Sequence, residues 1–215
     1  MGVPALHKLA VTHAHIPSAM RPFWLTFRGT TYVKDREEGA GRSRLLKLAN
    51  LSTAAKNIVV VEQCHKLHGL HRLAAYRERC NAYDKAMGVA PSYLTLLNST
   101  FALVPGGRQP ASIRLNEVLA AAAIPVFISG DMHTTSPYVL PFDGVLDWGK
   151  FSFHFSWDDT ADEIVSALSH VDEMQLNSMQ RYIRHVWKTF LQPRQSSRTF
   201  YGLLERRARR GSRRQ

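Results

Sequence analysis

Apolar and polar positions along this chain fall into blocks of two periods. Phe23-Trp-Leu-Thr-Phe27 is short, aromatic and alternating, and predicts a strand ending at Gly29. Residues 57–62, Asn-Ile-Val-Val-Val-Glu, and residues 124–128, Ile-Pro-Val-Phe-Ile, are continuous apolar runs of strand length, the pattern of parallel strands buried on both faces. Residues 100–104 predict a further strand. Between these runs the period changes. Residues 43–49 and 91–97 predict short helices, and residues 112–123 a longer one with Leu115, Val118, Leu119 and Ala122 on one stripe. Thr160-Ala-Asp-Glu163 is a capping box opening a helix with Ile164, Val165 and Leu168 on its apolar face. Asp172 caps a last helix, in which Met174, Met179, Tyr182, Ile183, Val186, Trp187 and Phe190 recur at helical spacing and which Pro193 ends. Residues 1–20 have no clear period and read as an irregular lead-in, and 132–139 as a loop. Strands alternating with helices predict an α/β fold on a parallel sheet.

In such a sheet ligands bind beyond the C-terminal strand ends, where loops lead into helices. Residues 105–111 form such a loop. Gly106 and Gly107 permit close backbone approach, and the helix start near Ser112 presents unpaired amides to an anion. Arg108 and Arg114 add charge-assisted contacts suited to phosphate oxygens. Glu117, three positions beyond Arg114, either braces that arginine or accepts hydrogen bonds from ribose or sugar hydroxyls. The bland alternative is an ordinary surface helix pair beside an ordinary turn. The loop matches neither Gly-x-Gly-x-x-Gly nor a P-loop, so neither a dinucleotide nor an ATPase function follows.

Composition changes this picture in one respect. The chain has 215 residues, 45% of them apolar, and a formal charge of +11. Residues 192–215 hold eight arginines against Glu205 and so carry +7 of that charge. A charge block at a terminus reads as a solvated extension, with attraction to phosphate or a membrane surface as the other reading. The body is only mildly basic, and nucleic acid is not the expected partner. The longest uncharged apolar run, residues 118–130, is too short to span a membrane. His13, His15, Cys64, His65, His68 and His71 lack the paired spacing of a structural zinc site, so no metal is expected. Cys64 and Cys80 are buried free thiols or, in an oxidising compartment, a disulfide. Asn50-Leu-Ser52 and Asn98-Ser-Thr100 are possible N-glycosylation acceptors.

The order of these elements resembles the exostosin family of glycosyltransferases. The similarity rests on Leu25-Thr-Phe-Arg-Gly29, Arg44, Cys64 and Cys80, Leu96-Leu-Asn-Ser-Thr-Phe101 leading into Leu103-Val-Pro105, Gly107-Arg108, Ser112-x-Arg114, Glu117, Ala121-Ala-Ala-Ile-Pro-Val126 with Ser129, Leu140-Pro-Phe142 and Asp147-Trp148. It implies residues 21–191 as a donor-binding domain, between the lead-in and a basic tail at 192–215. It also implies a Rossmann-like parallel sheet, the C-terminal lobe of a GT-B enzyme. The implied reaction transfers a sugar from a nucleotide sugar, usually a UDP-sugar, to a glycan or polysaccharide acceptor without a metal or other cofactor. The donor-binding positions carried over are Gly107, Arg108, Ser112, Arg114 and Glu117, with Arg44.

Further implications are a Cys64–Cys80 disulfide, a Golgi lumen location with a glycan at Asn98, and a homologous glycosyltransferase subunit as a possible partner. Three features depart from the family pattern. Gly106 stands where arginine is common after the loop proline, the stretch between Ser129 and Leu140 is longer than usual, and the anchor, stem and acceptor lobe have no counterpart. The catalytic base belongs to that acceptor lobe in related two-lobe enzymes and is not assigned here. The alternative is a non-catalytic nucleotide-sugar-binding fragment or subunit.

Overall fold

The computed structural model describes residues 8–10, 12–29, 45–62, 91–106, 113–129, 140–142, 144–192, 197 and 201–202. Five parallel strands form one sheet: β1 (Phe23–Gly29), β2 (Ile58–Glu62), β3 (Ser99–Pro105), β4 (Ile124–Ser129) and β5 (Phe153–Ser156), in the order β2-β1-β3-β4-β5. The pairing runs Leu25 to Ile58, Leu25 to Phe101, Leu103 to Val126 and Val126 to Phe153. Helix α1 (Tyr93–Leu96) precedes β3, α2 (Ile113–Ala120) joins β3 to β4, and α3 (Ala161–Ser169) and α4 (Glu173–Val186) follow β5. This is the α/β, Rossmann-like arrangement expected, and it is consistent with one lobe of a GT-B enzyme.

The central strand β3 is buried at all seven positions, as its apolar run from Phe101 to Pro105 requires. Helices α2 and α4 pack on the β3 and β4 side of the core, while α3 lies on the 3-10 helix Leu45–Leu51, which covers β2. The predicted capping box is formed: Thr160 Oγ1 accepts from the Glu163 amide at 3.2 Å, and the Glu163 carboxylate accepts from the Thr160 amide at 2.7 Å. The Asp172 cap is formed as well, at 2.7 Å to the Gln175 amide.

Two expectations are corrected in detail, and one element was not foreseen. The helix expected at 43–49 is a 3-10 turn over Leu45–Leu51. The last helix changes at Trp187 into a π-helical turn ending at Leu191. Strand β5 has no counterpart among the predicted elements.

Helix α2 also stops earlier than its apolar stripe suggests. The Ala123 amide donates to the Val118 carbonyl and the Ala122 amide to the Leu119 carbonyl, both at 3.1 Å, with Ala122 left-handed at φ 52°. These are the two bonds of a Schellman motif. Alanine occupies the position usually taken by glycine, and its methyl group is fully buried.

Candidate functional site

The strand order reverses direction between β1 and β3, and that switch point is where an open α/β sheet leaves a crevice beyond its C-terminal strand ends. Three elements meet there: the end of β1, helix α1 and the first turns of α2. Two hydrogen bonds set α1 over β1. Thr26, buried within β1, donates from its hydroxyl to the Leu96 carbonyl at 2.8 Å, and Arg28 Nη1 donates to the Pro91 carbonyl at 2.8 Å. Ser92 caps the helix by accepting from the Thr95 amide at 3.1 Å. Tyr93, the first helical residue, is therefore fixed on both sides.

Arg114 enters this frame from α2. Its guanidinium carbon lies 4.7 Å from the Phe27 ring centroid and 5.2 Å from that of Tyr93, so the cation is in reach of two aromatic rings. Its Nη2 donates to the Arg28 carbonyl at the end of β1. Gly29 makes that approach possible: a Cβ there would lie 2.8 Å from Arg114 Nη2 and 2.9 Å from Phe27 Cζ.

Glu117 is 5% exposed, and its Oε2 accepts the hydrogen bond donated by the Tyr93 hydroxyl. Burial, and then the neighbouring Glu117 carboxylate, push the Tyr93 phenol well above its ordinary value against the opposing charge of Arg114. Tyr93 is thus a permanent donor and Glu117 its acceptor. Arg114 and Glu117, three apart on one helix, form no direct ion pair with each other.

The residues singled out from the sequence divide into two groups. Arg114 and Glu117 are brought together at the switch point, each in contact with Tyr93. Arg44, Gly107, Arg108 and Ser112 lie outside the described residues, as do Cys64 and Cys80. Gly106, at the end of β3, donates its amide to the Ile128 carbonyl at 2.8 Å. Of the two sequons, Asn50 is exposed at the end of its 3-10 helix. Asn98 is half-buried, with a fully buried Oδ1, so Asn50 is the more accessible acceptor. His13 is engaged in packing, its Nε2 lying 3.0 Å from the Leu94 carbonyl. Sequence reasoning missed Phe27, Arg28 and Tyr93 as components of the site. A signal was available in the apolar and aromatic residues at the C-terminal end of a predicted strand, the position to which the binding crevice belongs.

A family model of the exostosin GT47 domain matches residues 1–171. The chain belongs to the exostosin GT47 family. Among curated relatives it is 35% identical over 135 residues to Exostosin-1 of Drosophila melanogaster, covering 60% of this chain and 15% of the fly protein. It is 28% identical over 137 residues to Exostosin-2 of Homo sapiens, covering 64% of this chain and 17% of the human protein. With the Exostosin-1 homolog of Caenorhabditis elegans it shares 27% identity over 171 residues, or 80% of this chain and 41% of the worm protein. The chain thus spans less than half the length of each of these relatives.

The exostosin match includes the lead-in, and the structure ties that segment to the body. Leu9 and Ala14 are buried in the core. Arg21, 7% exposed, donates to the carbonyls of Ile16 at 3.0 Å, His13 at 3.1 Å, Ser99 at 2.7 Å and Ala121 at 3.0 Å. The described part of this exostosin domain contains no helix long and apolar enough to cross a membrane.

Proposed function

We propose that this chain is the donor-binding lobe of an exostosin-type glycosyltransferase. It holds a nucleotide sugar, a UDP-sugar in the first instance, while the sugar passes to a glycan or polysaccharide hydroxyl. The observation that carries this reading is the pairing, at the β1/β3 switch point, of a guanidinium and a carboxylate that are each supported by a third residue and not by one another. A nucleoside diphosphate needs both chemistries. Its phosphates need cationic donors, which Arg114 and Arg108 supply, and its ribose hydroxyls need an acceptor, which Glu117 supplies.

In the transfer step the acceptor oxygen forms the new bond to the anomeric carbon. The bond from that carbon to the diphosphate breaks, and its electron pair leaves with the diphosphate. Arg114 and Arg108 stabilise the charge that builds there. The proton of the acceptor hydroxyl goes to a general base assigned to the acceptor-binding lobe. The Golgi lumen, with Cys64 and Cys80 paired, is the setting this reading entails.

Calorimetric titration of the chain with UDP tests it. Saturable binding is expected, weakened by about tenfold or more in Arg114→Gln and in Glu117→Gln, the scale of a lost charge-assisted hydrogen bond. Failure of the folded chain to bind UDP would falsify the reading. UDP binding with no sugar transfer in an added transfer assay would identify a non-catalytic binding subunit instead.

A further inference from the structure

Arginine and glutamate three apart on a helix ordinarily find each other, and the pair would then present one neutral patch. Here a residue from another element contacts both of them. Tyr93 offers its ring to Arg114 and its hydroxyl proton to Glu117 Oε2. Helix α1, which carries it, is held to β1 through Thr26 and Arg28, so Tyr93 cannot follow either partner. One Glu117 oxygen is thereby committed to the phenol, and the carboxylate is turned to a single orientation. Phe27 and Gly29, at the end of β1, lie against the same guanidinium.

We propose that Tyr93 is the positioning residue of this site, holding Arg114 and Glu117 apart so that the cation addresses the diphosphate and the carboxylate the ribose hydroxyls of one ligand. This rests on the donor-site reading above and adds to it a division of labour. The phenol hydroxyl governs ribose recognition, and the ring governs diphosphate recognition. Tyr93 itself need touch neither part of the ligand.

The two halves of Tyr93 can be removed separately. The full chain is titrated with UDP, 2′-deoxy-UDP, 3′-deoxy-UDP and uridine, first as wild type and then as Tyr93→Phe and Tyr93→Leu. Wild type is expected to prefer UDP to at least one deoxy analogue and to uridine. Tyr93→Phe keeps the ring, so its preference for UDP over uridine should persist. Its preference over the deoxy analogue should fall by about tenfold, the scale of a hydrogen bond to a charged group. Tyr93→Leu should lose both preferences.

Gly29→Ala reaches Arg114 from the end of β1 and is expected to lower the UDP-to-uridine ratio while sparing the ribose ratio. Tyr93→Phe, which keeps the ring, carries the test by itself if Tyr93→Leu fails to fold. A proportional loss of affinity for every ligand would indicate a merely structural tyrosine and overturn the proposal. Unchanged ribose discrimination in Tyr93→Phe would overturn it too, as would wild-type binding that ignores the ribose hydroxyls. The first two results leave the donor site standing, and the third leaves its diphosphate half. Absence of UDP binding by the folded wild type overturns the donor site and the role of Tyr93 together.

Discussion

Arg21 and Arg114 sit at opposite ends of the same parallel sheet, and neither rests on a carboxylate in the described structure. At the N-terminal end Arg21 is buried and surrounded by four carbonyl oxygens from the lead-in, the start of β3 and the end of α2. Burial, and then the charge of Arg184, lower its pKa to about 10, so it remains a cation at neutral pH. One of its acceptors is the Ala121 carbonyl within the Schellman turn, where a positive charge also meets the negative end of the helix dipole. At the C-terminal end Arg114 is half-buried in reach of two rings and has one carbonyl acceptor, from Arg28. The same side chain is saturated by backbone at one end and held mainly by aromatic faces at the other. Saturation makes Arg21 structural; support that leaves donors uncommitted is what a phosphate site requires.

The contrast can be broken most forcefully at Arg21. Replacement by Met removes the donor shared by four carbonyls, two of them in buried bonds, and should cost about 3 kcal/mol in urea unfolding. Lys should recover only part of that, because a single ammonium cannot reproduce the planar fork. Whatever remains folded should bind UDP as wild type does. Arg114→Gln should show the reverse, with stability reduced by about 1 kcal/mol while UDP affinity falls by the larger factor given above. A stability loss at Arg114 equal to that at Arg21 would erase the distinction.

A smaller effect separates fold from site by pH. His154 on β5 stacks on Phe127 at 4.7 Å, its Nε2 lies 2.9 Å from Ser152 Oγ, and burial lowers its pKa. The unfolded chain, with histidine near its ordinary value of about 6.5, takes up this proton at a higher pH than the folded chain does. Stability is therefore complete above about pH 6.5 and declines as pH falls through that value toward the lower folded one. Urea midpoints measured near neutrality and at about pH 5 should show the decline, and His154→Phe should reduce it. The smallest effect belongs to Thr160→Ala, which breaks a formed capping box far from either arginine. It should cost about 1 kcal/mol in unfolding and leave UDP binding untouched.

The parts legible in the sequence were those that local physics determines. Apolar runs marked β1, β2, β3 and β4, and the caps at Thr160 and Asp172 marked the starts of α3 and α4. Strand β5 escaped because it is four residues long and half-buried at every position, so it shows neither a continuous apolar run nor a clean alternation. Arg114 and Glu117 were legible as residues and not as geometry. Their separation depends on Tyr93, 24 positions before Glu117 and in another helix, and no periodicity links the two. Arg21 was illegible for the same reason: it stands in an aperiodic stretch beside Pro22, and its burial follows from acceptors distant in the chain.

That distance has a consequence in time. Arg21 is 78 residues from Ser99 and 100 from Ala121. At synthesis rates of roughly 5 to 20 residues per second, it emerges seconds before the last of its acceptors exists. Until then its cation stays hydrated, and the lead-in has no completed binding place on the sheet. Closing a loop of that length costs entropy that the bonds to Ser99 and Ala121 offset only once β3 and the end of α2 are in place. Residues near Arg21 are therefore synthesised well before the partners that bury them, and the guanidinium cannot lose its water until those partners are in place.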